Sequence, residues 1–592
     1  MVFYGLLLML FLSGSKNQEI DETTYQIVNT MTPIGSVGPC LNGTMWEIEV
    51  PSNNEKVIVS DDAFGGKNIT ISDETFTGKI LISNQADFDN YKNKTFQPGD
   101  QILFKRGETF VGMFAPLGSG TEAAPIIIEP YGIGERPIID NQGVFHNYPD
   151  IAAKESTGQN WSAFKNGKIS AGVFLHNASY WEVNGLEITN TDGEDNEYDI
   201  YGILYYANQE NQYKHIYVND CYVRDCGKVS WDPEPTTYGS IKMSGGIWAV
   251  LGTLAGTNSV LDGWRVTNNR VERVAGVGMA NQSDAVAFFI NRRPISNPKN
   301  LWKDTYYGDN TTHTTGRNAI VVRVSENPIV EYNRVINSSM SETGNSIYNF
   351  NTVNCLVQYN EVSGNDSGGK GERGAFDADY YAINTIIQYN YSHGNEYFCA
   401  IMKKPIIGVT IRYNISINDH SGVINYGFNN ADRDANGNYR DDQTGKILED
   451  VKVYNNTHYF STSVPHDIQL FVSKSRPLNS DYNNNIYYYA GGAAWSDGGI
   501  DLERRGFFTD FERNVYVGIP PHVTDGTAQT TDPNFIAPGQ EPSDIDLHTM
   551  DELRNYRLMS TSPYLDGAIE IENNGGKNIL GEAVDPNRYG AF

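Results

Sequence analysis

Two aspartates stand one residue apart in the segment GAFDADYY, which spans residues 374–381. The apolar and aromatic residues around Asp377 and Asp379 predict a β-strand, and in a strand residues i and i+2 point to the same face of the sheet. Hydrolysis of a glycosidic bond requires two such carboxyl groups, one to protonate the leaving oxygen and one to act as base or nucleophile. The segment is therefore a candidate catalytic strand.

Other chemically useful side chains adjoin the two aspartates. Glu372 and Arg373 lie in a glycine-rich turn that leads into the strand, and loops on a rigid scaffold often carry function. Glu372 is the alternative carboxylate if one aspartate is structural, and Arg373 is a candidate substrate-binding residue. Tyr380 and Tyr381 follow the aspartates, and their flat rings suit stacking on the apolar face of a sugar.

Repeated phrases form the elements that must hold this strand. IVEYN, LVQYN, IIQYN, TIRYN and VKVYN end at Asn333, Asn360, Asn390, Asn414 and Asn455, with spacings of 27, 30, 24 and 41 residues. This period is typical of a solenoid with insertions. Each unit predicts a short apolar strand, an asparagine that turns in the left-handed conformation, and a second strand, with the asparagines hydrogen-bonded along the stack as a ladder. Neighbouring units must supply one another's core.

Counting back from each phrase asparagine aligns the coils. Residues at an equal offset are expected about 4.8 Å apart in adjacent coils if no insertion intervenes. An offset of 11 residues predicts a polar column of Asn349, Asp379 and Lys403, and an offset of 13 places Asp377 beside Ile347 and Ile401. Lys403 would hold a neighbouring carboxylate ionised, and Asn349 would bind substrate. The alternative interpretation of this column is a solvated outer face of the solenoid.

The phrases resemble the coils of the right-handed parallel β-helix, the pectate-lyase-like superfamily, over about residues 95–520. FQPGDQILFKRGETFVGMF, from Phe96, resembles the first coil of such proteins, and STSPYLDG, from Ser560, resembles the tail that closes them. The resemblance implies an all-β solenoid with an N-terminal cap and a loop-rich C-terminal cover, similar to secreted carbohydrate-active enzymes. It does not select the reaction, because the superfamily includes hydrolases, lyases, epimerases, esterases and adhesins.

The rest of the chain divides around this solenoid. Residues 1–15, MVFYGLLLMLFLSGS, have the form of a signal peptide and predict a secreted, extracellular or periplasmic protein. Residues 16–94 are predicted to form a cap or small β module, in which SNQADFDNYKNKTF forms a short helix over the open end of the solenoid. Residues 95–520 form the β-helix and 521–592 the cover.

Composition narrows the partners. The formal net charge of −28 works against nucleic acids and anionic membranes and, less strictly, against anionic polysaccharides. The 58 glycines and 37 tyrosines favour turns and strands over helices. No later stretch reaches the ~18 apolar residues of a membrane span, so a carbohydrate is the predicted partner. The oligomeric state stays open.

Three functional hypotheses follow from these residues. The favoured one is a glycoside hydrolase that uses the paired aspartates and needs no cofactor. The first alternative is a calcium-dependent polysaccharide lyase, in which Asp377 and Asp379 hold the ion and Lys403 or Lys404 takes the proton from the sugar. The second is a non-catalytic carbohydrate-binding protein or adhesin, in which the aspartates form a structural calcium site. His393 is interpreted as a hydrogen-bonded turn histidine.

Overall fold

The computed structural model describes residues 24–27, 55–61, 67–73, 79–148, 168–191, 200–227, 244–252, 259–283, 289–290, 293–294, 300–341, 343–365, 372–402, 406–426, 448–463, 467–471, 479–495, 509–522 and 524–592. The predicted signal peptide and the candidate residues Lys403 and Lys404 lie outside these residues, so those predictions stay predictions.

Three long sheets form most of the described structure. Sheet A has 12 strands within the described residues: His146–Asn147, Lys168–His176, Ile200–Ala207, Gly245–Leu251, Val277–Ser283, Ile320–Arg323, Ile347–Phe350, Gly374–Ala378, Tyr397–Ile401, Gly422–Tyr426, Asp467–Phe471 and Ala494–Trp495. Sheet B has 15 strands in the same part of the chain: Ile80–Ile82, Gln101–Lys105, Ile126–Tyr131, Trp181–Asn184, Gln212–Asn219, Val260–Thr267, Leu301–Gly308, Ser325–Glu326, Ile329–Glu331, Leu356–Gln358, Ile386–Gln388, Thr410–Arg412, Lys452–Tyr454, Ser480–Asn483 and Thr509–Glu512. Sheet C has 13 strands, counted over those residues too: Thr109–Val111, Ile138–Asp140, Glu187–Asn190, Tyr222–Cys226, Arg270–Val274, Thr311–Thr315, Arg334–Ile336, Glu361–Ser363, Tyr391–His393, Ile415–Ile417, Thr457–Phe460, Ile486–Tyr489 and Val515–Val517.

Smaller elements accompany the three sheets. Thr24–Ile27, Lys67–Asp73 and Glu55–Asp61 form an antiparallel sheet, Phe289–Ile290 pairs with Arg293–Pro294, and Ile406–Ile407 pairs with Leu448–Glu449. An α-helix spans Gln85–Tyr91 and a 3₁₀-helix spans Asp551–Tyr556. None of the helices in the described residues is long and apolar enough to cross a membrane.

Successive strands of one coil enter sheets B, C and A in turn, and each strand pairs in parallel with the equivalent strand of the next coil. In sheet B, for example, Val330 pairs with Val357 and Val357 with Ile387. These side chains are buried in one continuous apolar core, and burial of apolar surface is the main stabilising contribution to such a stack. The predicted parallel β-helix is therefore confirmed.

The asparagine ladder is also present. Asn333 Nδ2 donates to Asn360 Oδ1 at 3.0 Å, and Asn360 Nδ2 donates to Asn390 Oδ1 at 3.0 Å. Asn390 continues the ladder to Asn414 at 3.0 Å. Because a parallel strand offers each turn to the turn of the next coil, the amides form a buried column, and Asn360 and Asn390 lie in adjacent coils as predicted.

Two details of the ladder differ from the sequence prediction. Asn414 donates to Asn456 and not to Asn455, since the fifth phrase carries its ladder asparagine one residue later. The left-handed residue is the one before each ladder asparagine, as at Tyr359 with φ 54° and Tyr389 with φ 56°. The tight turn therefore precedes the amide that bonds the next coil.

Both asparagine ladders of the described chain end on an aspartate. The main ladder continues through Asn485 to Asn514, whose Nδ2 donates to Asp525 Oδ2 at 2.9 Å. A second ladder runs from Asn365 and Asn395 to Asp419, which accepts Asn395 Nδ2 at 3.0 Å. A carboxylate accepts hydrogen bonds without needing an acceptor of its own, so it completes the last rung.

The α-helix Gln85–Tyr91 covers the N-terminal end of the core. The Asn84 side chain accepts hydrogen bonds from the backbone N–H groups of Ala86 and Asp87 and caps the helix. Phe88 is fully buried, and its ring stacks on Phe110 with centroids 5.6 Å apart. A helix forms in the segment where the sequence predicts one, and its phenylalanine closes the apolar interior.

C-terminal residues cover the outer face of sheet C. Ile545, Leu553, Ile579 and Phe592 pack in one apolar cluster with strand residues such as Ile415. The tail therefore shields apolar side chains that would otherwise face solvent.

A charged cluster fixes the same tail. Glu361 accepts from Arg334 Nε at 2.8 Å and from His393 Nε2 at 3.1 Å, while His393 Nδ1 contacts Glu541 Oε1 at 3.2 Å. Arg334 also pairs with Asp544 at 2.6 Å. Burial alone would lower the pKa of His393, but hydrogen bonds to Glu361 and Glu541 outweigh burial and raise this pKa to about 9. His393 is thus a hydrogen-bonded structural residue.

Candidate functional site

The outer face of sheet A changes character along the stack. One register column contains, in coil order, Phe174, Leu204, Trp248, Ala280, Val321, Tyr348, Asp377, Ala400 and Asn425. The first five are apolar and belong to a cluster separate from the interior core. Polar groups begin at Tyr348 and Asp377, so the strands Ile347–Phe350 and Gly374–Ala378 carry the candidate site.

The predicted catalytic strand forms as Gly374–Ala378. Phe376 and Ala378 pack in the interior core, whereas Asp377 lies in the outer column and is 3% exposed. Asp379 follows the strand by one residue, and its backbone N–H donates to Asn349 O at 2.9 Å. Alternation along the strand therefore gives Asp377 and Asp379 the same parity, as expected.

The predicted polar column is wrong. Asn349 pairs with Ala378, and Asp377 pairs with Tyr348 and Ala400 rather than with Ile347 and Ile401. The physical reason is one extra residue in the turn before Ile386, because Leu356 pairs with Ile386, 30 residues later, whereas Asn349 and Ala378 are 29 residues apart.

The shift changes the role of Asn349. Its side chain donates to Thr352 Oγ1 at 2.6 Å and to Thr385 Oγ1 at 2.9 Å, and only 1% of its surface is exposed. Asn349 therefore bonds to buried turn residues and is not placed to bind substrate.

Hydrogen bonds hold the Asp377 carboxylate in place. Asn345 Nδ2 donates to Asp377 Oδ2 at 2.7 Å, and Asn345 Oδ1 accepts from Gly374 N at 2.7 Å and from Tyr397 Oη at 2.6 Å. The backbone N–H of Arg373 donates to the same tyrosine oxygen at 3.1 Å. Because the amide and the phenol are themselves buried and bonded, the carboxylate has a fixed orientation.

A second carboxylate acts on this network. Burial raises the pKa of Tyr397 well above its ordinary value, and the negative charges of Asp377 and Glu372 raise it further. Glu372 is half-buried at the entrance to the strand, where its backbone N–H donates to Thr343 Oγ1 at 2.5 Å. The structure thus brings Glu372 and Asp377 to the two sides of one phenol hydroxyl environment.

Asp379 has a different local role. Its Oδ1 accepts the backbone N–H of Tyr380 at 2.7 Å, which fixes the turn after the strand. The Tyr380 ring stacks on Phe350 with centroids 6.0 Å apart and meets Tyr381 edge-on at 4.3 Å. The predicted aromatic residues therefore form a surface beside the acidic strand, and Asp379 helps to orient that surface.

Sequence reasoning missed Asn345, Tyr348 and Tyr397. Tyr348 stands 12 residues before Asn360, and Asp377 stands 13 before Asn390, so a fixed offset cannot align them. Allowing one inserted residue per turn would have placed Tyr348 beside Asp377. Asn345 precedes its strand, and no repeat signal distinguishes it.

Metal ligands do not assemble in the described part of the chain. No group of three or more histidine, cysteine, aspartate or glutamate side chains there is arranged to hold a metal ion. The calcium of the two alternative hypotheses accordingly gains no support from these residues.

Comparison with known proteins places this site among carbohydrate-active enzymes. No protein-family description matches the chain. A lacto-N-biosidase of Bifidobacterium longum subsp. longum is 25% identical over 461 residues, which are 66% of this chain and 26% of that protein, so the chain spans about a quarter of this relative's length. A GH136 lacto-N-biosidase structure from Eubacterium ramulus has a TM-score of 0.48 at 20% identity, over 67% of each chain. A mannuronic acid specific family 6 polysaccharide lyase from human gut microbiota has a TM-score of 0.41 at 14% identity, over 75% of this chain and 86% of that one. The chain is therefore similar, over much of its length, to proteins whose names describe carbohydrate-active enzymes.

Proposed function

We propose that this protein is a glycoside hydrolase that cleaves a glycosidic bond of an oligosaccharide or polysaccharide, with Asp377 and Glu372 as its carboxyl pair. The observation that carries the proposal is a buried carboxylate, Asp377, fixed by the Asn345 amide at 2.7 Å on an outer sheet face that is otherwise apolar. The similarity to a lacto-N-biosidase supports the same reaction class.

The two carboxyl groups take different roles in this proposal. Asp377 has the fixed orientation that a base or nucleophile needs, because its oxygen must approach the anomeric carbon along one line. Glu372 is half-buried at the strand entrance, where it reaches the leaving-group oxygen and protonates it. Tyr397 lies between their fields and keeps the two charges apart.

Other side chains supply binding. Tyr380, stacked on Phe350, offers an aromatic surface for the apolar face of a sugar ring. Arg373 is 6% exposed, and its Nε–H has no acceptor among the described residues. Burying such a donor without a partner is costly, so we assign it to an oxygen of the bound sugar.

The test combines product analysis with three matched variants. A panel of neutral and acidic glycans should yield new reducing ends without the ultraviolet absorbance of unsaturated sugars, and chelation of calcium should leave the rate unchanged. Unsaturated products, or activity that is lost with the chelator, would instead establish the lyase. The absence of turnover on every glycan, with retained glycan binding, would establish the binding protein.

Variants identify the residues. Asp377→Asn and Glu372→Gln should each lower kcat by orders of magnitude, about 10³-fold or more, with little change in the unfolding midpoint. Asp379→Asn is the matched control and should retain most activity, because an amide oxygen still accepts the Tyr380 N–H. If Asp379→Asn inactivates the enzyme while Glu372→Gln does not, the catalytic pair is Asp377 and Asp379.

A further inference from the structure

An arginine, a glutamine and a tyrosine form a polar cluster one coil before the catalytic strand. Arg323 donates to the Tyr348 hydroxyl and to Gln282 Oε1, and its guanidinium carbon lies 5.7 Å from the centre of the Tyr348 ring. Arg323 is 4% exposed. Gln282 and the protein interior therefore hold the guanidinium, which in turn holds the tyrosine hydroxyl.

The direction of this hydrogen bond leaves a donor on Tyr348. A guanidinium has only donors, so the phenol oxygen accepts from Arg323, and the single phenol proton is then available for another acceptor. Tyr348 and Asp377 are direct register neighbours in sheet A, which places their strands about 4.8 Å apart. The available proton is thus beside the proposed catalytic carboxylate.

Exposure along the outer column points to the same place. Trp248, Ala280 and Val321 are 0% exposed, whereas Tyr348 is 8% exposed. Beyond Tyr348, Phe350 and Tyr380 are partly exposed. Tyr348 is therefore the first residue of this column, counted from the N-terminal side, that a ligand at Asp377 can touch.

We propose that Tyr348 is a substrate-contacting residue whose hydroxyl donates to an oxygen of the sugar unit on the N-terminal side of Asp377, and that Arg323 is a positioning residue acting through Tyr348. This inference rests on the proposed function. It also sets the direction of the bound glycan, since the sugar with this oxygen lies over the strand Ile347–Phe350.

Single and double variants test the proposal. Tyr348→Phe should lower kcat/KM by about tenfold, the loss expected for one neutral hydrogen bond to substrate. Arg323→Met should give a similar loss, and the double variant should be no worse than the poorer single variant, because both changes remove one contact. A set of mono-deoxy substrates should contain one on which wild type and Tyr348→Phe have equal kcat/KM.

A second arginine–tyrosine pair provides the matched control. Arg265 lies 5.7 Å from the centre of the Tyr217 ring on sheet B, away from sheet A, so Tyr217→Phe and Arg265→Met should leave kcat/KM unchanged. Full activity of folded Tyr348→Phe, while Asp377→Asn is inactive, would overturn the inference and leave the proposed function standing. So would a loss in Arg323→Met that Tyr348→Phe does not share. An active Asp377→Asn would instead refute the proposed function.

Discussion

Replacing one rung of the asparagine ladder should destabilise the solenoid far more than replacing an outward amide of the same coil. Asn360 is fully buried, and its side chain takes part in five hydrogen bonds with described residues. Its Oδ1 accepts both the backbone N–H and the side-chain N–H of Asn333. Asn360→Ala removes all five bonds and leaves the backbone N–H of Asn333 buried without that acceptor.

The expected cost follows from these groups. One unsatisfied buried donor costs about 1–3 kcal/mol, and each further lost hydrogen bond costs about 0.5–1.5 kcal/mol. Allowing for partial relaxation and for shared protons, Asn360→Ala should lower the free energy of unfolding by about 3–5 kcal/mol, which is roughly a hundredfold or more in the unfolding equilibrium constant.

Gln358→Ala is the matched control. Gln358 lies two residues earlier on the outer face of sheet B, is half-buried, and makes side-chain hydrogen bonds to Glu331 and Gln388, each at 2.7 Å. Urea unfolding followed by circular dichroism should show a loss below about 1 kcal/mol for Gln358→Ala, with unchanged dependence on urea. Equal losses in the two variants would refute the view that the ladder stabilises the stack through its buried amides.

Two further predictions concern the ends of the solenoid. The His393 pKa of about 9 exceeds its ordinary value of 6.5, so the stabilisation from protonated His393 is complete below pH 6.5 and is lost as the pH rises through about 9; the free energy of unfolding should fall by about 2–3 kcal/mol between pH 6 and pH 9.5 in wild type and stay flatter in His393→Gln. Parallel pH profiles for the two proteins would contradict this role. At the other end, Phe88→Ala removes a fully buried ring and should cost about 3–5 kcal/mol, whereas Asp89→Ala, on the exposed side of the same helix, should cost less than about 0.5 kcal/mol; similar unfolding midpoints for both variants would show that the helix does not close the core.

The architecture could be predicted because it repeats. Five phrases with an apolar strand and an asparagine predict stacked coils, and the Asn333, Asn360 and Asn390 amides bond as that pattern requires. The prediction weakened wherever a single copy departed from the pattern. The ladder asparagine of the fifth phrase is Asn456, because a second asparagine follows Asn455 and composition alone does not distinguish the two.

The candidate site could be predicted only in part. Alternation within one strand gave Asp377 and Asp379 a common parity, because strand geometry is local. Neighbours across coils depend on turn lengths, and one extra residue before Ile386 moved Tyr348 beside Asp377 in place of Ile347. The bond from Asn345 to Asp377 could not be predicted at all, since Asn345 approaches from a turn and has no position in the repeat.

The aspartates at the ends of both ladders give the amide columns a direction. Every interior rung must receive two protons from the previous coil and pass protons to the next, whereas Asp525 only receives them. A carboxylate within the column would break the relay and bury a charge, and an amide at its end would lack an acceptor. Asp525 therefore acts as a chemical terminator that limits the number of coils. A solenoid lengthened by duplicating a coil should fold only if each added turn carries asparagine and the aspartate stays last.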